Sequence, residues 1–371
     1  MIGQRKKVWF CLMAITVLLA SAVVAFAGKS LEAFAQSPSV PTISDLTVPA
    51  NGWGFPAPWG TAFDSSGRLW VALPGCDPGP KCSSTFPGKI AVYNPKSGTW
   101  PLAYQLPAHF AQPLFLAFDK QGRVWFPEPM NNSLGMLDPR TNKFSQWAVP
   151  TSSAGPWDVA VDQSGKVWFT EHYGNKIGYF DPATKKFKEI ATPGLNTVPY
   201  GITVDSSNNV WFTENNAAVA QIAEYTAQGK LREYKIRSRG STSGLTPHLI
   251  TTDGHGYVWW SEGWVGMIGK LKIASAVPGT NRGVIEYSYR PPCASCSKHT
   301  SGIAIDANGN IWFTDAIQSI LGSFNTSSSA FSLFKTPSSA SHPHDGLNAG
   351  PNRTVWFTEE FADKLGRVVL R

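Results

Sequence analysis

The chain has 371 residues, of which 42% are hydrophobic, 12% aromatic and only 15% charged, so it can bury a large core and is not a disordered chain. Its formal charge of +7 falls to +4 without Arg5, Lys6, Lys7, Lys29 and Glu32 of the first 35 residues. No run of Lys or Arg follows them, which argues against nucleic acid as a partner.

In chain order, the first element is a targeting segment. Arg5, Lys6 and Lys7 precede an uncharged stretch over residues 8–27, with A-x-A triplets ending at Ala27 and Ala35. Residues 1–35 are therefore read as a signal peptide or N-terminal membrane anchor, with cleavage the favoured outcome. The anchor alternative stands because the stretch is long enough to cross a bilayer. Either way the remainder is expected to be secreted or otherwise extracytoplasmic, and to touch a membrane only through residues 8–27.

Residues 36–371 read as one domain built from repeats. The aligned tryptophans Trp70, Trp125, Trp168, Trp211, Trp259, Trp312 and Trp356 are spaced by 55, 43, 43, 48, 53 and 44 residues. Each ends a pattern such as GITVDSSNNVWF (201–212), which is a short apolar strand, a turn rich in Asp, Ser, Asn and Gly, then a second apolar strand. Third and fourth strands follow, as in NKIGYFDP (175–182) and KFKEIATP (186–193). Four short strands at this period predict a β-propeller, here all-β with seven blades. The strands are apolar on both faces because neighbouring blades cover both, so the repeated Trp residues belong to packing between blades. The last repeat lacks a fourth strand, while ISDLTVP (43–49) looks like one. An N-terminal strand completing the last blade would remove the open edge. A monomer is expected.

The four Cys beyond the targeting segment form two close pairs in Pro-rich insertions, Cys76 with Cys82 and Cys293 with Cys296. In an oxidising compartment two local disulfides are expected. Zinc on Cys293, Cys296 and His299 lacks a fourth ligand nearby.

The first two strands of a blade run antiparallel, so the start of strand one and the end of strand two share one mouth. Three residues after each Trp stand Leu73, Glu128, Glu171, Glu214, Glu262, Asp315 and Glu359. Their repetition makes a structural role the simplest one, as acceptors for backbone N–H groups of the neighbouring blade. Eleven residues before each Trp stand Trp59, Leu114, Trp157, Tyr200, His248, Ser301 and Asp345. Breaks in the repeat are where function is sought, and they cluster late: His248, His299, His342, His344, and Glu360 doubling Glu359. Trp59, Trp157, Tyr200 and His248 are the candidate ligand-binding residues, for a small molecule or a protein partner at the mouth.

The repeats GPWDVAVDQSGKVWFTEHYGNKIGYFD and VPYGITVDSSNNVWFTEN resemble those of the virginiamycin B lyase (streptogramin lyase) family, itself related in architecture to the SMP-30/gluconolactonase and NHL-repeat propellers. The resemblance spans nearly all of residues 43–371 and implies a seven-bladed propeller. It also implies a lyase that opens a cyclic ester by elimination, with magnesium bound at the mouth. Carried over, it makes His344 a general acid or base and matches Glu359 or Glu360 to the acid that ends strand two. The assignment is His344 and Glu360 as catalytic, His342 and Glu359 as metal ligands. The family has a metal-binding acid where His342 stands here, which favours manganese or zinc over magnesium. The alternative is a non-catalytic propeller that binds a ligand or partner at the same mouth.

Overall fold

The computed structural model describes residues 41–50, 56–76, 87–110, 112–237 and 246–370. The targeting segment, the 1–35 boundary and Cys82 lie outside the described residues.

The turn chemistry read from the sequence explains why each blade forms. In the first six repeats an Asp stands six residues before the Trp. In VDQSGKVW, one carboxylate oxygen of Asp162 accepts the amides of Ser164 (2.8 Å) and Lys166 (3.0 Å), and the other accepts Trp168 Nε1 at 2.9 Å. One side chain thus closes the hairpin and anchors the ring that packs outward from it. The same Asp–Trp bond recurs as Asp119 to Trp125 (2.8 Å), Asp205 to Trp211 (2.8 Å) and Asp306 to Trp312 (2.9 Å). In the last repeat Thr354 takes the Asp role, its hydroxyl accepting from Trp356 Nε1 at 2.9 Å.

The strands assemble into seven four-stranded antiparallel sheets, each using strands in chain order except the last. Its inner strands are Leu347–Gly350, Thr354–Glu359 and Lys364–Val369, and its outer strand is Thr42–Thr47. Thr42 pairs with Val369 and Thr47 with Lys364, and Lys364 Nζ donates to Asp45 at 2.9 Å. The N-terminal strand therefore completes the seventh blade, as the sequence predicts. Trp168 packs on Tyr225 of the next blade (centroids 5.5 Å apart), and Trp125 on Phe180 (5.7 Å), so the tryptophans do serve the interfaces between blades. Phe169 lies flat over the third strand of its own blade, and a Cβ at Gly178 would come within 2.6 Å of it.

Two devices shape the mouth. In blades three to six the innermost strand carries a bulge, between Pro156 and Val159, Pro199 and Ile202, Pro247 and Ile250, and Thr300 and Ile303. Trp157, Tyr200, His248 and Ser301 all fall within these bulges, which re-aim side chains out of the pleat. A hydroxyl then pins each bulge to the next blade. Thr213 Oγ1 accepts from Gly201 N (2.9 Å) and donates to the His248 carbonyl (2.6 Å). Thr314 Oγ1 accepts from Gly302 N (2.8 Å) and donates to the His344 carbonyl (2.7 Å).

Candidate functional site

Three histidines from three consecutive blades meet at this mouth. His248, His299 and His344 bring ligand-capable nitrogens to within 4.8 Å of one another. His248 Nε2 and His299 Nε2 are 2.9 Å apart, and the His299 and His344 rings are 5.1 Å apart. Their backbones are held: Thr213 and Thr314 bind the His248 and His344 carbonyls, and Asp315 accepts the His299 amide at 3.1 Å. Burial disfavours the charged form of all three imidazoles. Burial, then repulsion from His248 and His344, pushes His299 down to about 2. Burial, with His342 and His248 beside it, holds His344 well below its usual value, and burial also lowers His248.

Behind them lies a buried anion. Asp345 accepts Tyr200 OH at 2.5 Å and the Ser301 hydroxyl, and its carboxylate sits 3.4 Å from His344 Nδ1. Asp158 is pushed up to about 7, chiefly by burial and partly by the charge of Asp345.

His342 forms a second centre. Its Nδ1 donates to the buried Glu360 carboxylate at 2.8 Å, and its ring stacks on His344 at 5.1 Å. Its backbone has φ +50°, a conformation that costs a non-glycine residue free energy and that concentrates at functional positions.

The expected aromatic residues reach the mouth. Trp59 meets His344 edge-on at 4.9 Å, Trp157 packs on Tyr200 at 5.4 Å, and Tyr200 on His248 at 4.8 Å. The indole Nε1 groups of Trp59 and Trp157 are buried without a hydrogen-bond partner.

Several expectations need correction. The repeated acids do not form an open ring of carboxylates; they are buried, and most take side-chain donors. Glu128 accepts from Gln146 (2.9 Å), Glu214 from Gln221 (3.2 Å) and Glu262 from Trp260 (2.9 Å). Glu359, expected to bind metal beside His342, instead accepts the Ser338 amide at 3.3 Å near Asp45 of the closing strand. The strand Thr354–Glu359 ends at Glu359 and Glu360 opens a short 3-10 turn, so the two side chains leave the backbone in different directions. Glu360 pairs with His342 rather than with His344. His299, in the sequence only a break in the repeat, stands between His248 and His344. Cys293 and Cys296 do form a disulfide, with Cα atoms 5.4 Å apart, and Cys76 is disulfide-bonded as well.

One feature was missed. Two residues beyond the repeated acid, and therefore around one rim, stand Met130, Tyr173, Trp264, Ile317 and Phe361, all exposed large apolar side chains. Trp264 stacks on His299 at 4.6 Å, and Phe361 on His342 at 4.2 Å. A count of apolar residues in that one register of the repeat finds them from sequence alone.

Fold and site together define a seven-bladed propeller with a histidine-lined, aromatic-rimmed mouth. Residues 102–281 match the virginiamycin B lyase family. A streptogramin B lyase structure superposes with a TM-score of 0.74 at 23% identity, covering 89% of this chain and 98% of that one. A catalytically inactive variant of virginiamycin B lyase from Staphylococcus aureus, solved with quinupristin, gives 0.74 and 23% over 90% of this chain and all of that one. The RRP9 WD40 repeats share the architecture at a TM-score of 0.67 and 8% identity, over 89% of this chain and 97% of theirs. No curated protein matches the sequence. The chain thus has a seven-bladed propeller fold similar to that of virginiamycin B lyase.

Proposed function

We propose that this chain opens a cyclic ester or lactone by elimination at the propeller mouth, with the His342–Glu360 pair as its acid–base centre. The carrying observation is the 2.8 Å bond from His342 Nδ1 to Glu360. The carboxylate fixes the tautomer, leaving the Nε2 lone pair of His342 to act as base. That base takes the proton on the carbon next to a carbonyl. The electron pair forms a carbon–carbon double bond as the β-carbon–oxygen bond breaks, and the ring oxygen leaves as a carboxylate. Developing negative charge on the carbonyl oxygen needs hydrogen-bond donors at the mouth. The rim of Met130, Tyr173, Trp264, Ile317 and Phe361 suits an apolar, ring-bearing substrate.

The magnesium that the family resemblance implies does not fit this donor set. Magnesium requires oxygen ligands in near-octahedral geometry. Here the histidine cluster offers imidazoles, Glu359 turns one oxygen to Ser338 and keeps the other buried, and Glu360 is engaged with His342. No step is therefore routed through that ion.

The proposal includes a location outside the cytoplasm, a reading that the Cys293–Cys296 disulfide supports. The test is to incubate the protein with depsipeptides and macrolactones and weigh the products. Elimination gives a linear product of unchanged mass that His342→Ala does not form; a product heavier by one water overturns the elimination. The aromatic rim also favours a second reading, a ligand-binding propeller without catalysis. That reading predicts binding with no product at all.

A further inference from the structure

We propose that His248, His299 and His344 form a site for a late first-row divalent transition ion, zinc foremost, distinct in ligands and chemistry from a magnesium site. Three imidazoles with one position left open are the ligand set of a catalytic zinc, whereas hard cations prefer oxygen.

Geometry supports this at each ring. Two nitrogens bound to a tetrahedral ion at ~2.0–2.1 Å lie roughly 3.3 Å apart. The nitrogens of the cluster span 2.9 Å, between His248 and His299, to 4.8 Å at the widest, so small ring shifts complete the site. Nδ1 of His248 lies 3.1 Å from the Thr246 carbonyl, which can only accept, so the proton sits on Nδ1 and Nε2 presents a lone pair. Asn215 Nδ2 donates one hydrogen to the Pro247 carbonyl at 2.8 Å and its other lies 3.1 Å from that nitrogen, so a cation on Nε2 selects the Nδ1–H tautomer that Thr246 accepts. Nδ1 of His344 is buried without a hydrogen-bond partner, 3.4 Å from the Asp345 carboxylate, close enough for a small ring rotation to make the carboxylate–histidine bond that orients metal ligands.

Charge and rigidity agree with this assignment. A dication on three neutral rings needs a nearby anion, and buried Asp345 provides one, its carboxylate fixed by Tyr200 and Ser301. The hydroxyls of Thr213 and Thr314 and the Asp315 carboxylate hold the three backbones before any ion arrives. Preorganisation of this kind is what a metal site requires and a histidine used for packing alone does not. Trp264, half exposed over His299, leaves the approach from solvent partly open.

The full protein, stripped with chelator and then dialysed, is titrated with Co²⁺, the optical stand-in for zinc. One equivalent should bring visible ligand-field absorption, which Zn²⁺ abolishes and excess Mg²⁺ leaves unchanged. Replacing an outer-shell partner of a metal ligand costs ~10–100-fold in affinity, so Asp345→Asn should weaken binding by that factor and His299→Ala by more. His255→Ala, at an exposed histidine outside the cluster, should bind as the parent does. Circular dichroism checks each fold, and if His299→Ala fails to fold, His299→Asn is read in its place. A parent without a saturable band, or an unchanged band in the His299 variant, overturns the site. Binding is read without substrate, so its failure and that of the elimination reading are separable.

Discussion

Tyr200 of the fourth blade donates its hydroxyl to Asp345 of the seventh at 2.5 Å, although the two lie 145 residues apart in the chain. The bond spans the ring of blades and carries the carboxylate that backs the histidines.

Tyr200→Phe should therefore do more than remove one hydrogen bond, because it leaves a buried carboxylate with one donor fewer. A bond to a charged group is worth ~1.5–3 kcal/mol, and urea unfolding should report a loss in that range. Ser301→Ala acts on the same carboxylate, so the double variant should depart from additivity. Additive losses would show that the two donors do not share one anion.

The hydroxyl pins make a separable prediction. Thr213→Val keeps the shape but leaves the His248 carbonyl and the Gly201 amide without their partner. Each buried group so stranded costs ~1–3 kcal/mol, which thermal unfolding resolves. A neutral result would mean that the bulge is fixed by the strand ladder alone.

The repeated acids should give stability an unusual pH profile. Burial, then the charge of Glu233, pushes Glu214 up to about 8, and burial with Glu189 does the same to Glu171. An unfolded Glu loses its proton near ~4.3, while the folded one keeps it to the raised value. Stability from each is thus full below the unfolded value and falls as pH rises towards 8, by at most ~1.4 kcal/mol per pH unit. Glu214→Gln, compared by urea unfolding at pH 5 and pH 8, should flatten that slope. An unchanged slope would place the titration elsewhere.

If the acid–base assignment holds, Glu360→Gln should lower kcat by ~10²–10⁴ while leaving thermal stability near the parent's. Trp264→Ala should act mainly on KM, since its exposed ring offers binding surface to the substrate. A Glu360→Gln enzyme with parental kcat would sink the dyad.

The fold was legible because its signals repeat. The Trp spacing, the Asp six residues before most of them, and ISDLTVP as a missing fourth strand each mark a blade. The site was half legible, for a physical reason. His248, His299 and His344 stand 11, 13 and 12 residues before their tryptophans, so no single register shows them together. The bulges and longer lead-in loops absorb those offsets, and a bulge has no clear mark in the chain. Both Glu359 and Glu360 match the acid that ends strand two, and one step along the backbone sends the first to Ser338 and the second to His342.

The pairing of Thr42–Thr47 with Lys364–Val369 also dictates an order of events during biosynthesis. The first strand to emerge finds its neighbour only after every other strand has been made, so it must wait unpaired through almost the whole of elongation. A truncated product, however well its early blades are folded, therefore keeps an unsealed seventh blade. His342, His344 and Glu360 all come from that late stretch of sequence. Assembly of the reactive centre is in this way tied to completion of the polypeptide.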